Sequence, residues 1–173
     1  MPARPHPAAA FLLSGLMIAL AVLGSPPRAD EHAVLLIETR GADGSLLESI
    51  PLDQSTLSAL PQTGFETHTV WTDGPQQFRG VALATLLAHL DISAAHIDLE
   101  AVNNYRVSLP VAEIGPDNPI IALTRNGAAM SLRDMGPFWL VYNYDSNPKF
   151  RTELIYARSI WQLERITVPA PQP

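Results

Sequence analysis

Four arginines, Arg79, Arg106, Arg125 and Arg158, fall at expected junctions between strands and helices, where side chains on a rigid scaffold can converge on a ligand. The planar guanidinium suits bidentate contacts to carboxylate or phosphate, so the chemistry on offer is capture of a small anion. Only Lys149 is a lysine, the other ten basic residues being arginine. Because such usage also follows overall composition, position counts for more than number. Trp71, Trp139 and Trp161 with Tyr105, Tyr142 and Tyr144 could line an aromatic pocket, although most read as core. Tyr142-Asn143-Tyr144-Asp145 departs from strand alternation and enters a loop, so Tyr144 is expected to face a ligand or partner.

The residue types that would support catalysis are sparse. The chain has no cysteine, so it offers neither a disulfide nor a thiolate ligand. Of five histidines, His6 lies in the leader and His32, His89 and His96 are isolated, with no metal-ligand spacing. There is no Gly-x-Ser-x-Gly, and Asp134 and Asp145 flank one strand at a separation that spacing does not give. No catalytic residue and no metal ligand is therefore assigned.

The elements that must position these side chains can be read from pattern. Ala33 to Glu38 and Ser45 to Ile50, joined by Gly41-Ala42-Asp43-Gly44, predict a hairpin. Asp53 predicts the cap of a short helix through Leu60, stopped by Pro61. Phe65 to Thr72 predicts a strand, ended by Asp73-Gly74-Pro75. Leu83, Leu86, Leu87 and Leu90 form one buried stripe and predict a helix from Val81 to Leu90. Strands are expected at Ile97 to Val102, Ile120 to Thr124 and Trp139 to Tyr142, a helical turn at Pro110 to Ile114, and a tight turn at Asn126-Gly127. Trp161 and Leu163 are out of phase with Ile166 and Val168, which a β-bulge at Glu164-Arg165 would repair. The pattern is that of an α+β domain.

Residues 1–29 have the form of an export signal: Arg4 without an acid, an apolar run from Ala8 to Gly24, and small residues for cleavage at Gly24 or Ala29. Its removal takes two of the 11 basic residues and none of the 17 acidic ones, so the formal charge moves from −6 to −8. Such a surface repels nucleic acid and anionic lipid. Residues 30–168 are expected to form one domain, periplasmic or secreted and without a stable membrane span, and 169–173 a Pro-rich tail.

Phe78-Arg79-Gly80-Val81-Ala82-Leu83 with Leu86-Leu87 resembles the helix entry of the molybdopterin-binding domain of sulfite-oxidase-type oxidoreductases. Further segments follow in that family's order: Asn103-Asn104-Tyr105 with Leu109-Pro110, Ile120 to Leu123, Asn126-Gly127, Gly136-Pro137, Leu140-Val141, and Ser159-Ile160…Leu163…Arg165-Ile166. The resemblance covers Phe65 to Val168 and implies that family's mixed-sheet α+β fold. It also implies a molybdenum cofactor held by a cysteine in the loop before the Gly-Val helix, but Thr67 to Gln77 has none, and soft thiolate is not reproduced by His68 or Asp73. Trp161 stands where the family has a lysine, and Asn143 to Arg158 is longer than the corresponding family loop.

The pattern is similar to small exported single-domain relatives without the metal ligand. It implies a binding or signalling-accessory module that takes a small anionic or pterin-like molecule, or docks on a membrane sensor. The alternative is a molybdopterin-dependent oxidoreductase with a non-cysteine metal site or a partner subunit. Arg158 gains weight as a ligand residue because it precedes the Ser159-Ile160 segment, and His68 because it sits in the strand that replaces the metal-ligand region. Arg79, Arg106, Arg125, Arg158, Tyr105, Tyr144 and His68 are the candidate ligand-binding set.

Overall fold

The computed structural model describes residues 33–170. The expected export signal and the last three residues of the expected tail lie outside the described residues. The chain opens as the hairpin its turn residues require, β1 (Val34–Arg40) against β2 (Leu46–Asp53). Asp53 then caps α1 (Gln54–Ala59), its carboxylate accepting the Thr56 N–H at 2.7 Å.

β3 (Gln62–His68) begins earlier and ends sooner than expected, because the chain turns away after His68. β4 (Pro75–Ala82) runs antiparallel to it and was not foreseen. Gln76, Gln77 and Gly80 dilute its strand signal, yet Gly80 is what lets it pair. A Cβ at Gly80 would lie 1.9 Å from the Ile121 carbonyl oxygen. Val81 and Ala82 stay on this strand, so the helix expected from Val81 starts two residues later, as α2 (Leu83–His89).

β5 (His96–Ala101) and β6 (Arg106–Pro110) form a second hairpin, followed by a 3-10 turn at Val111–Glu113. β7 (Ile120–Arg125) turns through Asn126 (φ 52°) and Gly127 (φ 77°) into β8 (Ala128–Ala129), as the tight-turn signal requires. β9 (Trp139–Val141) also pairs with β7. The stretch after it contains two 3-10 turns, Tyr144–Ser146 and Pro148–Phe150, and α3 (Glu153–Arg158), capped by Thr152. β10 (Leu163–Val168) carries the register shift against β5 that the phase break demands.

The strands form two sheets, ordered β2-β1-β10-β5-β6 and β3-β4-β7-β8 with β9 beside β7. The first is mixed, since β1 and β10 run parallel and the other pairs antiparallel. One apolar cluster joins Leu35, Ile37, Leu99 and Ile166 of the first sheet to Val81, Ile121 and Trp139 of the second. Each of these side chains is at most 1% exposed, so the core carries the stability that no disulfide supplies. Among the described residues no helix is long and apolar enough to cross a membrane.

Candidate functional site

The turn that follows β3 and the Ser159–Trp161 segment meet at one cleft. After β3, the Trp71 N–H is accepted by Thr69 Oγ1 at 3.1 Å, and Thr69 Oγ1 shares a 2.7 Å hydrogen bond with Thr72. This local turn fixes the backbone at Trp71, whose ring then packs on Trp139, Tyr144, Tyr156 and Trp161. On the facing side, Ser159 Oγ donates to the Ile155 carbonyl at 2.7 Å as the chain leaves α3. Ile160 O accepts from Leu140 N–H, and Gln162, at φ 50°, redirects the chain into β10. Trp161 is thereby held against Trp71, with ring centroids 5.8 Å apart at 64°.

Two tyrosines complete the walls. Tyr105 sits in the β5-β6 turn, where Asn103 Oδ1 accepts its N–H at 3.0 Å and its hydroxyl donates to the Ala157 carbonyl at 2.9 Å. Tyr156 comes from α3 and stands nearly perpendicular to Trp71, at 5.9 Å and 87°. Together with Asn103, Ala157, Ser159 and Ile160 these four rings line a cleft of about 250 Å³ that opens to solvent. None of the eight residues is charged at neutral pH. Trp139, fully buried, packs edge-on against both Trp71 and Trp161 and forms the wall behind them.

The arginines do not converge there. Arg158 is buried at the end of α3, where it pairs with Glu113, and its Nε has no hydrogen-bond partner. Arg106 donates to Glu100 at 2.7 Å on the outer face of the first sheet, which raises its own basicity. Arg79 is exposed beside Thr124 in a trough of the second sheet, and Arg125 is half-buried at the end of β7 opposite Ala128. An anion site shared by these four side chains is therefore corrected: spacing located each at a junction, but three strands and α3 carry them to different places.

Tyr144 also differs from expectation. It is 2% exposed, and burial pushes its hydroxyl above the usual tyrosine range. Rather than facing a ligand it packs on Tyr156 at 5.4 Å, behind the cleft. His68 is exposed but outside the cleft, and both its N–H and its Nδ1 reach Asp145 Oδ2, at 2.7 and 2.8 Å. That backbone N–H is the main reason the Asp145 carboxyl sits below its ordinary range, with the His68 side chain adding to it. Asp145 N–H in turn donates to the buried Thr67 Oγ1 at 3.0 Å, so the group anchors the loop after β9 to β3.

Tyr105 alone of the seven candidates lines the cleft. Tyr156 was missed because 143–158 reads as loop; Thr152-Glu153, a capping side chain followed by an acid, was the available signal for α3. Among the described residues no three of His, Cys, Asp or Glu gather closely enough to hold a metal ion.

The acidic and basic side chains instead meet on the outer face of the first sheet. Arg165 lies across from Glu100, and Glu100 across from Arg106, in one row over β10, β5 and β6. Glu100 accepts from Arg106 at 2.7 Å and Arg165 at 3.0 Å, and Arg106 is the main reason its carboxyl stays below the ordinary range. Glu38 pairs with Arg40 at 2.6 Å and with Arg165 Nε at 3.0 Å. Arg40, Asp98, Glu100, Arg106 and Arg165 border a trough of about 550 Å³.

No family model matches the chain, and no curated protein matches it. Among solved structures, the sulfane dehydrogenase SoxCD from Paracoccus pantotrophus matches with a TM-score of 0.59 at 16% identity. The match covers 84% of this chain and 40% of that one, so the protein spans well under half the length of that neighbour. At this identity the likeness is one of fold alone.

Proposed function

We propose that the protein is an exported, non-catalytic recognition module on a sulfite-oxidase-like scaffold. It holds a small ligand, or a side chain offered by a membrane sensor or signalling partner, in the cleft lined by Trp71, Tyr105, Tyr156 and Trp161. One observation carries this reading: the turn after β3 and the Ser159–Trp161 segment are brought together, and the cleft where they meet is lined by four aromatic rings with no charged side chain. Such a cleft favours binding through apolar and π contacts, oriented by a few polar atoms.

A molybdopterin-type cofactor does not fit these residues. The metal would need a soft ligand, and the nearest candidates are indole and phenol rings. The pterin phosphate would need a cation; Trp161 offers none, and Arg158 is committed to Glu113. No redox step is derived through that group.

Elemental analysis of the protein purified from its own host compartment tests the reading. Molybdenum far below one atom per chain is expected. A stoichiometric amount would make the chain an oxidoreductase that draws its metal ligands from oxygen donors or a partner subunit.

A further inference from the structure

We propose that the cleft between Trp71, Tyr105, Tyr156 and Trp161 is an aromatic cage for a quaternary ammonium group. This rests on the reading of the cleft as the recognition site and names the class of ligand it takes.

Ring geometry gives the first argument. Trp71 meets Tyr156 at 87° and Trp161 at 64°, so the walls form a corner instead of two parallel plates. A flat aromatic ligand could stack on only one such wall. A tetrahedral methylated ammonium presents methyl groups to several walls at once, each bearing part of the positive charge, and indole and phenol faces attract that charge through their quadrupole.

Charge gives the second argument. The lining contains no carboxylate and no cation. A primary ammonium keeps its water unless acceptors replace it, so an uncharged cage discriminates against it and in favour of the weakly hydrated quaternary group. Anions gain nothing there, and the net negative formal charge, −6 over the whole chain and −8 without residues 1–29, raises the local concentration of cations. The cavity of about 250 Å³ is below the usual size of a drug-scale pocket and suits a head group whose remainder extends into solvent.

The cage is also set before any ligand arrives. The Tyr105 hydroxyl is tied to the Ala157 carbonyl, the Trp71 ring packs on buried Trp139 and Tyr144, and Trp139 also backs Trp161. Little side-chain freedom remains to be lost on binding.

The test is a calorimetric and indole-fluorescence titration of the full chain as its host processes it, at constant ionic strength, with choline, its neutral carbon isostere 3,3-dimethylbutan-1-ol, and indole. Choline should bind saturably and at least about tenfold more tightly than the isostere. Trp161→Leu should weaken choline at least about tenfold. Tyr105→Ala, which removes a side chain already 45% exposed, should weaken it severalfold with the fold retained by near-ultraviolet circular dichroism. Equal binding of choline and the isostere, or tighter binding of indole, overturns the cage while leaving a recognition cleft in place. No saturable response to choline also overturns it, and a response to indole then decides whether the recognition reading survives.

Discussion

On the outer face of the first sheet, Arg40, Arg106 and Arg165 surround a trough of about 550 Å³, while the cleft lined by Trp71, Tyr105, Tyr156 and Trp161 measures about 250 Å³ and has no charged side chain. The larger, charged surface is the one that residue type would nominate for ligand binding. Yet its three arginines already serve Glu38 and Glu100, which are 6% and 8% exposed. An anion arriving there would have to displace a carboxylate held in register by the strands. In the cleft the rings pack edge-on against one another, the Tyr105 and Ser159 hydroxyls are bound to nearby backbone, and no charged side chain of the lining competes with a guest. A charged group is a ligand residue only where its own chain has not reached it first.

The largest effect is expected behind the cleft. Trp139→Ala should destabilise the fold by about 3–5 kcal/mol in urea denaturation, because it removes a fully buried indole on which Trp71 and Trp161 both pack. A loss below about 1 kcal/mol would mean that the cleft has no rigid back wall.

On the charged face, Glu100→Ala should cost about 2–3 kcal/mol, less than a fully buried pair because Arg106 is largely exposed. It should leave the indole fluorescence maximum unchanged, which separates the two regions; a shift in that maximum would show them coupled.

Acid should act on carboxylates at both sheets and not on the uncharged cleft. Glu100 and Asp145 have carboxyls held below their ordinary range, and Asp53 is held down to about 2, chiefly by the Thr56 N–H it caps. A lowered native pKa means that the unfolded chain binds protons more readily. The contribution is full above the ordinary carboxylate range, about pH 4, and is lost as pH falls toward 2. Urea midpoints measured from pH 7 to 2 should be flat above about 5 and fall steeply below about 4. Stability that rises on acidification would contradict the assigned pairs.

Smaller still is His68→Ala, expected to cost about 0–1 kcal/mol because the pair with Asp145 is exposed. It should leave any cleft ligand unaffected. Tyr144→Phe should be neutral to stabilising by about 1 kcal/mol, since the buried hydroxyl it removes has no hydrogen-bond partner.

Much of the scaffold was legible in the sequence where a residue leaves the backbone few choices. Asn126-Gly127 forms its left-handed turn, Asp53 caps its helix, and the phase break at Glu164-Arg165 becomes a register shift. β4 was illegible because Gly80, needed for close approach to Ile121, is itself a poor strand former. The site was half legible. Trp71, Trp161 and Tyr105 stood out as aromatic, but spacing does not report which way a junction side chain turns, so Arg158 and Tyr144 were read outward while packing took both inward. Cross-strand partners such as Glu100 for Arg106 depend on register, which local pattern leaves open.

The central claim, that ligands meet the aromatic cleft and not the arginines, is tested most directly by nitrogen-15 NMR of the indole and guanidinium N–H groups. The titrants are a mixture of uncharged and quaternary-ammonium compounds and, separately, phosphate and a pterin. The account expects the Trp71 and Trp161 indole signals to move with the first set and stay fixed with the second. Anion-induced shifts at Arg106 and Arg165, with the indoles unmoved by every compound, would contradict it.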